Sequence, residues 1–416
     1  MADALCAVAR VRRTAGNHLL CDSTLLQMLR ESGVAFRERL LTPVVVLRLF
    51  LLQVLSCNIS IAGLRQFAGI NFAPSSYCEA RLRLPLRFLR RLVQWTVDQA
   101  RQTDGQNQLG HRLLVVDCST FSMGDTAALA RRFGLPRGRK IKAGVVYPIA
   151  KFMALMDLAT GCMIRWIPGS LYRHEASGLV RLHRFIQAGD ILLADRAFCS
   201  FVHVVMLNAR GAFACFRLHQ RRQDKSGVSL WSKPSNCPKW MGRKQYAALP
   251  KELSVRIVSY RIEQKGYRTK QASVATTLMD QVQWPDEKIA ELYGHRWCIE
   301  TSFGHLKTTM KMCVLRCKTV AGIRRELLMY QLAYNLIRLT LLAAARELKV
   351  DPWRISFVDA MRYVQMRMMG LTGTSHLIIN PKRAARYHPR VIRRRMKEYD
   401  LLTEPRQQRI HRESQQ

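Results

Sequence analysis

Two short apolar runs that each stop at an aspartate limit what this chain can fold into. Residues 111–117 read HRLLVVD and residues 191–195 read ILLAD. Runs of this length, bounded by polar residues, are those of strands buried on both faces. Asp117 and Asp195 are therefore expected to end strands, at the rim of a sheet. A third acid, Glu300, lies in the stretch 293–307, YGHRWCIETSFGHLK. A helix turns roughly 100° per residue, so Tyr293, Arg296, Glu300 and Lys307 would share a sector of about 60°. A solvated helix face mixes charges in the same way, so this segment alone leaves both readings open.

Three carboxylates brought together repel one another unless hard cations lie between them. Magnesium, or manganese in its place, takes oxygen ligands and commonly keeps a substrate phosphate in its shell. Two such ions can serve the attacking and the leaving oxygen in phosphoryl transfer.

The spacing Y-x2-R-x3-E-x6-K at Tyr293, Arg296, Glu300 and Lys307 resembles at every position the signature of DDE transposases of insertion-sequence type four. The segments VVDCSTFSMGDTAA around Asp117 and GDILLADRAFCS around Asp195 match as well, and the resemblance runs from about residue 40 to about residue 405. It implies that Asp117, Asp195 and Glu300 are the catalytic, metal-binding triad. It also implies that Arg296 and Lys307 hold phosphates near the cut, and that Tyr293 positions the strand beside them.

Charge points to the same partner. The chain has 67 Lys plus Arg against 29 Asp plus Glu, a net charge of +38 over 416 residues. Such a field attracts a polyanion, and the predominance of arginine suits phosphate. An anionic membrane is the rival, but the longest apolar stretch, 327–345, is interrupted by Gln331, Asn335 and Arg338 on one helical face. That is the pattern of a buried helix with a polar stripe rather than of a bilayer span. The first residues, MADALCAVARVRR, lack the apolar core of a signal peptide, and a cytoplasmic protein, nucleoid-associated if bacterial, is expected. The twelve cysteines include no CxxC pair, which favours free thiols over zinc or disulfides.

Taken in order, residues 1–101 read as a helical N-terminal DNA-binding domain. Ser60 is placed to cap its second helix and Pro74 to open its third, and Pro85 divides the third from the fourth. The last two helices carry Arg81, Arg83, Arg87, Arg90 and Arg91, like a helix-turn-helix unit offering a basic helix to DNA; a basic packing module is the alternative. Residues 111–218 and 285–348 are expected to form an α/β ribonuclease-H-like catalytic core, ordered as three strands, helix (175–187), strand, helix, strand and a later acid-bearing helix. In such a fold the first and fourth strands are neighbours, which would bring Asp117 beside Asp195. The basic loop holding Arg131, Arg132, Arg137, Arg139, Lys140 and Lys142 suits a grip on DNA, or is merely solvated.

Residues 219–284 are too long for a plain loop and read as a β-rich insertion subdomain, as the resembled family has. Its Trp231 and Trp240 could stack on an unpaired base, although packing the insertion is the simpler role. Trp297 is expected in the core. Residues 349–416 form a helical and basic C-terminal region. Its stretch 382–412 has 11 Lys plus Arg against three acids, as in a disordered tail on DNA, although PRVIRRRMKEYDLLTEPR resembles the end of some relatives.

The resemblance implies a transposase that binds the ends of its element, as a homodimer in a synaptic complex, and acts by hydrolysis, hairpin formation and joining to target DNA. A ribonuclease-H-like nuclease and a domesticated, catalytically silent DNA-binding protein are the alternatives.

Overall fold

The computed structural model describes residues 21–33, 35–104, 110–137, 146–219, 222, 225–262, 271–371, 377, 379 and 404–415. Among the described residues five helices come first: α1 (Asp22–Glu31), α2 (Pro43–Leu55), α3 (Ile61–Ala68), α4 (Pro74–Arg83) and α5 (Leu86–Asp104). Their starts follow from the sequence. The Thr42 side chain accepts from the Val45 amide with Pro43 in the first turn, Ser60 accepts from the Gly63 amide, and Pro74 opens α4.

The core follows: β1 (Leu113–Met123), α6 (Ala127–Phe133), β2 (Ile149–Asp157), β3 (Met163–Ser170), α7 (Glu175–Leu179), β4 (Ile191–Ala194), α8 (Phe201–Asn208) and β5 (Phe213–Arg217). The segment 175–187, expected as one helix, is the short α7, then turns, then a 3-10 turn at His183–Phe185. At the turn between β2 and β3, Gly161 has φ +66°, and a Cβ there would lie 2.4 Å from the Arg338 guanidinium. Only glycine meets both conditions.

Next come β6 (Gly227–Ser232), α9 (Arg243–Ala247), β7 (Glu252–Arg261) and β8 (Gln271–Thr276), then α10 (Asp286–Gly294), α11 (Trp297–Gly304), a π-turn at His305–Thr309, and β9 (Val314–Leu315). The chain closes with α12 (Val320–Leu348), α13 (Phe357–Met368) and α14 (Arg406–Ser414). In the basic tail, the described residues 406–414 are therefore helical rather than disordered.

The nine strands among the described residues form one mixed sheet in the order β3-β2-β1-β4-β5-β8-β7-β6, with β9 beside the far end of β1. The stretch expected as an insertion is β-rich, and its β8 pairs antiparallel with β5, so its strands prolong the central sheet. Trp231 is buried, and Trp240 stacks on His203 of α8, ring centroids 5.0 Å apart. Both tryptophans pack.

Helix α12 is long and apolar enough to cross a bilayer, yet nearly all of its apolar window is buried inside the protein. Its polar stripe explains how it is held. Gln331 donates to the Met163 carbonyl, Asn335 takes the Met163 amide and donates to Thr96 of α5, and Arg338 donates to the Thr160 carbonyl. Buried polar groups satisfied in this way fix the register of α12 against β3 and α5. The N-terminal helices are tied to it similarly, through Asn58 to Glu326 and Arg325 to the Leu84 carbonyl. Every described cysteine is a free thiol.

Candidate active site

Strand pairing places the first two acids. β1 and β4 are parallel neighbours with Val116 opposite Ala194, and β4 pairs with β5 with Ala194 opposite Phe216. The next row across the sheet is therefore Asp117, Asp195 and Arg217. Asp195 follows the last residue of β4, as expected. Asp117 does not end its strand. β1 continues to Met123, because its pairing with β2 runs on to Ser122 and β9 takes the place that β4 vacates. Asp117 sits where β1 loses β4 as its neighbour.

The stretch 293–307 is not one regular helix. α10 ends at Gly294 and α11 begins at Trp297. Between them the amides of His295, Arg296, Cys298 and Ile299 each bond three residues back, an overwound joint. The π-turn then widens the helix, with the Met310 amide bonding His305. The even 100° step therefore fails twice, before Trp297 and after Gly304. Arg296 and Glu300, four residues apart, still meet. Tyr293 lies before the joint and Lys307 beyond the widening.

Arg296 organises the acids. Its Nη2 donates to Glu300 Oε1 at 2.8 Å and its Nη1 lies 3.4 Å from Asp117 Oδ2. The guanidinium is buried, and stands 5.9 Å from the Tyr293 ring centroid and 5.1 Å from that of Trp297. Trp297, expected in the core, is 45% exposed. Burial pushes the Asp117 carboxyl up to about 6, with the charges of Glu300 and Asp195 adding to it; the Cys118 amide, 2.7 Å from Oδ1, and Arg296 work the other way. Asp195 Oδ1 is buried without a hydrogen-bond partner.

Among the described residues no three acid, histidine or cysteine side chains stand close enough to enclose one ion, and a guanidinium lies between two of the acids. The donors nevertheless suit a hard cation. Asp117 feels the charges of Glu300 and Asp195, one Asp195 oxygen is buried and unsatisfied, and the positive charge between Asp117 and Glu300 is that of Arg296.

The other expected residues are spread more widely. Tyr293 is buried, and its hydroxyl has no partner. Lys307 lines a cavity of 620 Å³ with Thr120, Tyr147, Arg316 and Lys318, over the end of β1 that runs past Asp117. Arg83 pairs with Glu79 at 3.6 Å and Arg87 lies against Gly33, so both belong to the helical layer and not to the carboxylates. Arg139 and Lys140 lie outside the described residues. Arg217 was missed, although it ends an apolar run, FACFR, as the two aspartates do theirs.

Comparison with known proteins gives the family. The profile for the Transposase DDE domain matches residues 108–336, which include all three acids. The chain is 26% identical over 374 residues to the transposase InsG for insertion sequence element IS4 of Escherichia coli (strain K12), covering 82% of this chain and 80% of the relative. A solved piggyBac transposase synaptic complex with hairpin DNA aligns over 84% of this chain and 78% of its own, with a TM-score of 0.44 and 10% identity. The chain belongs to the Transposase DDE domain family and, within it, is of the IS4 type.

Proposed function

We propose that this chain is a DNA transposase that cuts the ends of its element and joins them to target DNA, with Asp117, Asp195 and Glu300 as the catalytic acids. The observation that carries this reading is the row of Asp117 and Asp195 on adjacent strands, with Glu300 tied to Asp117 through one guanidinium. The strand order β3-β2-β1-β4-β5 supports a ribonuclease-H-like core.

The three carboxylates would hold divalent magnesium or manganese ions, two by the logic of the reaction. Such ions polarise the phosphate and assist the attacking and leaving oxygens. The chain's own groups do the rest. Arg296 neutralises Asp117 and Glu300 while they are unligated, and is then free to turn towards a phosphate oxygen. Lys307, Arg316 and Lys318 line the path of the strand beyond the cut. The Tyr293 ring packs beside the Arg296 guanidinium. Asp117, carrying a proton at mildly acid pH, gives it up before it can act as a ligand.

Water attacks the phosphodiester at the element end; the freed 3′ hydroxyl attacks the opposite strand, closing a hairpin and releasing the flanking DNA; a second water reopens the hairpin, and the restored 3′ hydroxyl attacks a phosphodiester of target DNA, displacing its 3′ oxygen. The helical region up to residue 101, with Arg83 and Arg87, and the loop holding Arg139 and Lys140 would bind duplex DNA. Two copies would pair the ends in a synaptic complex in the cytoplasm, on the nucleoid in a bacterium. Incubating the protein and magnesium with DNA that carries the inverted repeats flanking its coding region tests this: strand cleavage at the repeat ends is expected, and binding without cleavage would leave a catalytically silent DNA-binding protein.

A further inference from the structure

Six arginines converge on one cavity at the outer edge of the sheet, away from the carboxylates. The cavity, of 260 Å³, is lined by Arg90 of α5, Arg132 of α6, Arg165 of β3, Arg181 and Arg184 from the turns after α7, and Arg324 of α12, and no acid lines it. Among the described residues none of the six has an ion-pair partner, whereas Arg91, Arg101 and Arg112 nearby in sequence all do. Phe185 fixes two of them, with the Arg165 guanidinium 5.3 Å and that of Arg184 4.9 Å from its ring centroid.

Uncompensated like charges held this close carry a cost. Burial together with Arg90, Arg184 and Arg181 pulls the Arg165 guanidinium below its usual range, and Arg181 is pulled down by burial and by Arg173, Arg184 and Arg132. A fold keeps such a cluster at no cost only when an anion arrives to neutralise it. Planar, forked donors from five separate segments match several phosphate oxygens at once.

Register separates this cavity from the carboxylates. Asp117 pairs with Ala154, and Ala154 with Trp166, so the β3 wall lies two strands away, about 10 Å at the usual strand spacing. Arg165 is one residue off that row and projects from the opposite face to Asp117. We propose that this cavity is a second phosphate site, which grips the sugar-phosphate backbone of DNA at a segment other than the one being cut. The proposal rests on the DNA-cutting reading for its partner and names a site which the cutting chemistry itself does not use.

The test is the triple variant Arg132→Ala, Arg184→Ala, Arg324→Ala, all exposed positions, against a control triple Arg210→Ala, Arg243→Ala, Arg346→Ala that removes the same charge elsewhere. Binding of a fluorescein-labelled mixed-sequence DNA duplex is titrated over a range of salt. Loss of three phosphate contacts should lower the slope of log K against log salt by about 2.7 for the cavity triple and leave the control near the wild-type slope. Equal slopes for the two triples overturn the site while leaving DNA binding intact. No binding by the wild type overturns the DNA-cutting reading instead. Competition by tripolyphosphate that is lost in the cavity triple, with an unchanged DNA slope, overturns the proposal in favour of a free polyphosphate as the occupant.

Discussion

Arg296 Nη1 stands 3.4 Å from Asp117 Oδ2, across 179 positions of sequence, while its other terminal nitrogen holds Glu300. One buried guanidinium thus joins the acid on β1 to the acid on α11, and substitutes for the positive charge that three carboxylates require. Arg296→Ala in the metal-free protein should cost about 2 kcal/mol, below the usual figure for a broken buried pair because Glu300 is half-exposed. Urea denaturation with and without magnesium checks it: the deficit should shrink when the ion is added. A deficit indifferent to magnesium would argue against carboxylates competing for one charge.

The raised Asp117 carboxyl predicts two pH effects. Its folded value near 6 exceeds its unfolded value of 3.8, so the stability it contributes is full below about pH 4 and is lost as pH rises through about 6. The loss is at most about 3 kcal/mol in the metal-free protein, and Asp117→Asn should flatten that slope. Magnesium affinity should move the opposite way, rising roughly tenfold per pH unit up to about 6 and levelling off above, because the ion must displace the proton. Calorimetric titration at three pH values decides it; pH-independent affinity would remove Asp117 from the ligand set.

Tyr293 offers a cleaner separation of stability from chemistry. Its hydroxyl is buried without a partner, so Tyr293→Phe should leave stability unchanged or raise it by up to about 1 kcal/mol. The ring that supports Arg296 stays. Cleavage should fall only if the hydroxyl meets DNA, and a variant that unfolds more readily than wild type would show that the hydroxyl has an internal role.

Asn335 tests the polar stripe of α12. Its side chain satisfies the Met163 amide and carbonyl and Thr96. Asn335→Leu strands the buried Met163 amide, while the Met163 carbonyl keeps its bond from Gln331 and Thr96 its bond to the Val93 carbonyl, and should destabilise the protein by about 2 kcal/mol, read as a lower urea midpoint at constant slope. An unchanged midpoint would mean that the stripe does not fix the helix.

Much of this was readable in the sequence because local chemistry dictated it. ILLAD can be little other than a buried strand with an acid behind it, and Gln331, Asn335 and Arg338 at helical spacing required buried acceptors. Ser60 and Pro74 marked helix starts that the structure keeps. What escaped depends on partners distant in sequence. β1 outruns Asp117 because β2 and β9 go on pairing with it, and no feature of residues 118–123 announces that. The joint before Trp297 and the π-turn after Gly304 are backbone adjustments to packing, invisible to an even helical step. The six-arginine cavity is gathered from residues 90 to 324, each of which alone resembles a solvated surface charge.

Asp195 alone among the three acids has a buried oxygen with nothing to hold it. The decisive measurement is magnesium-dependent cleavage of DNA carrying the element ends by Asp195→Asn beside wild type, with DNA affinity measured on the same samples. Cleavage should fall by about 10³-fold or more while affinity changes less than about threefold. An Asp195→Asn protein that cuts at the wild-type rate would contradict it.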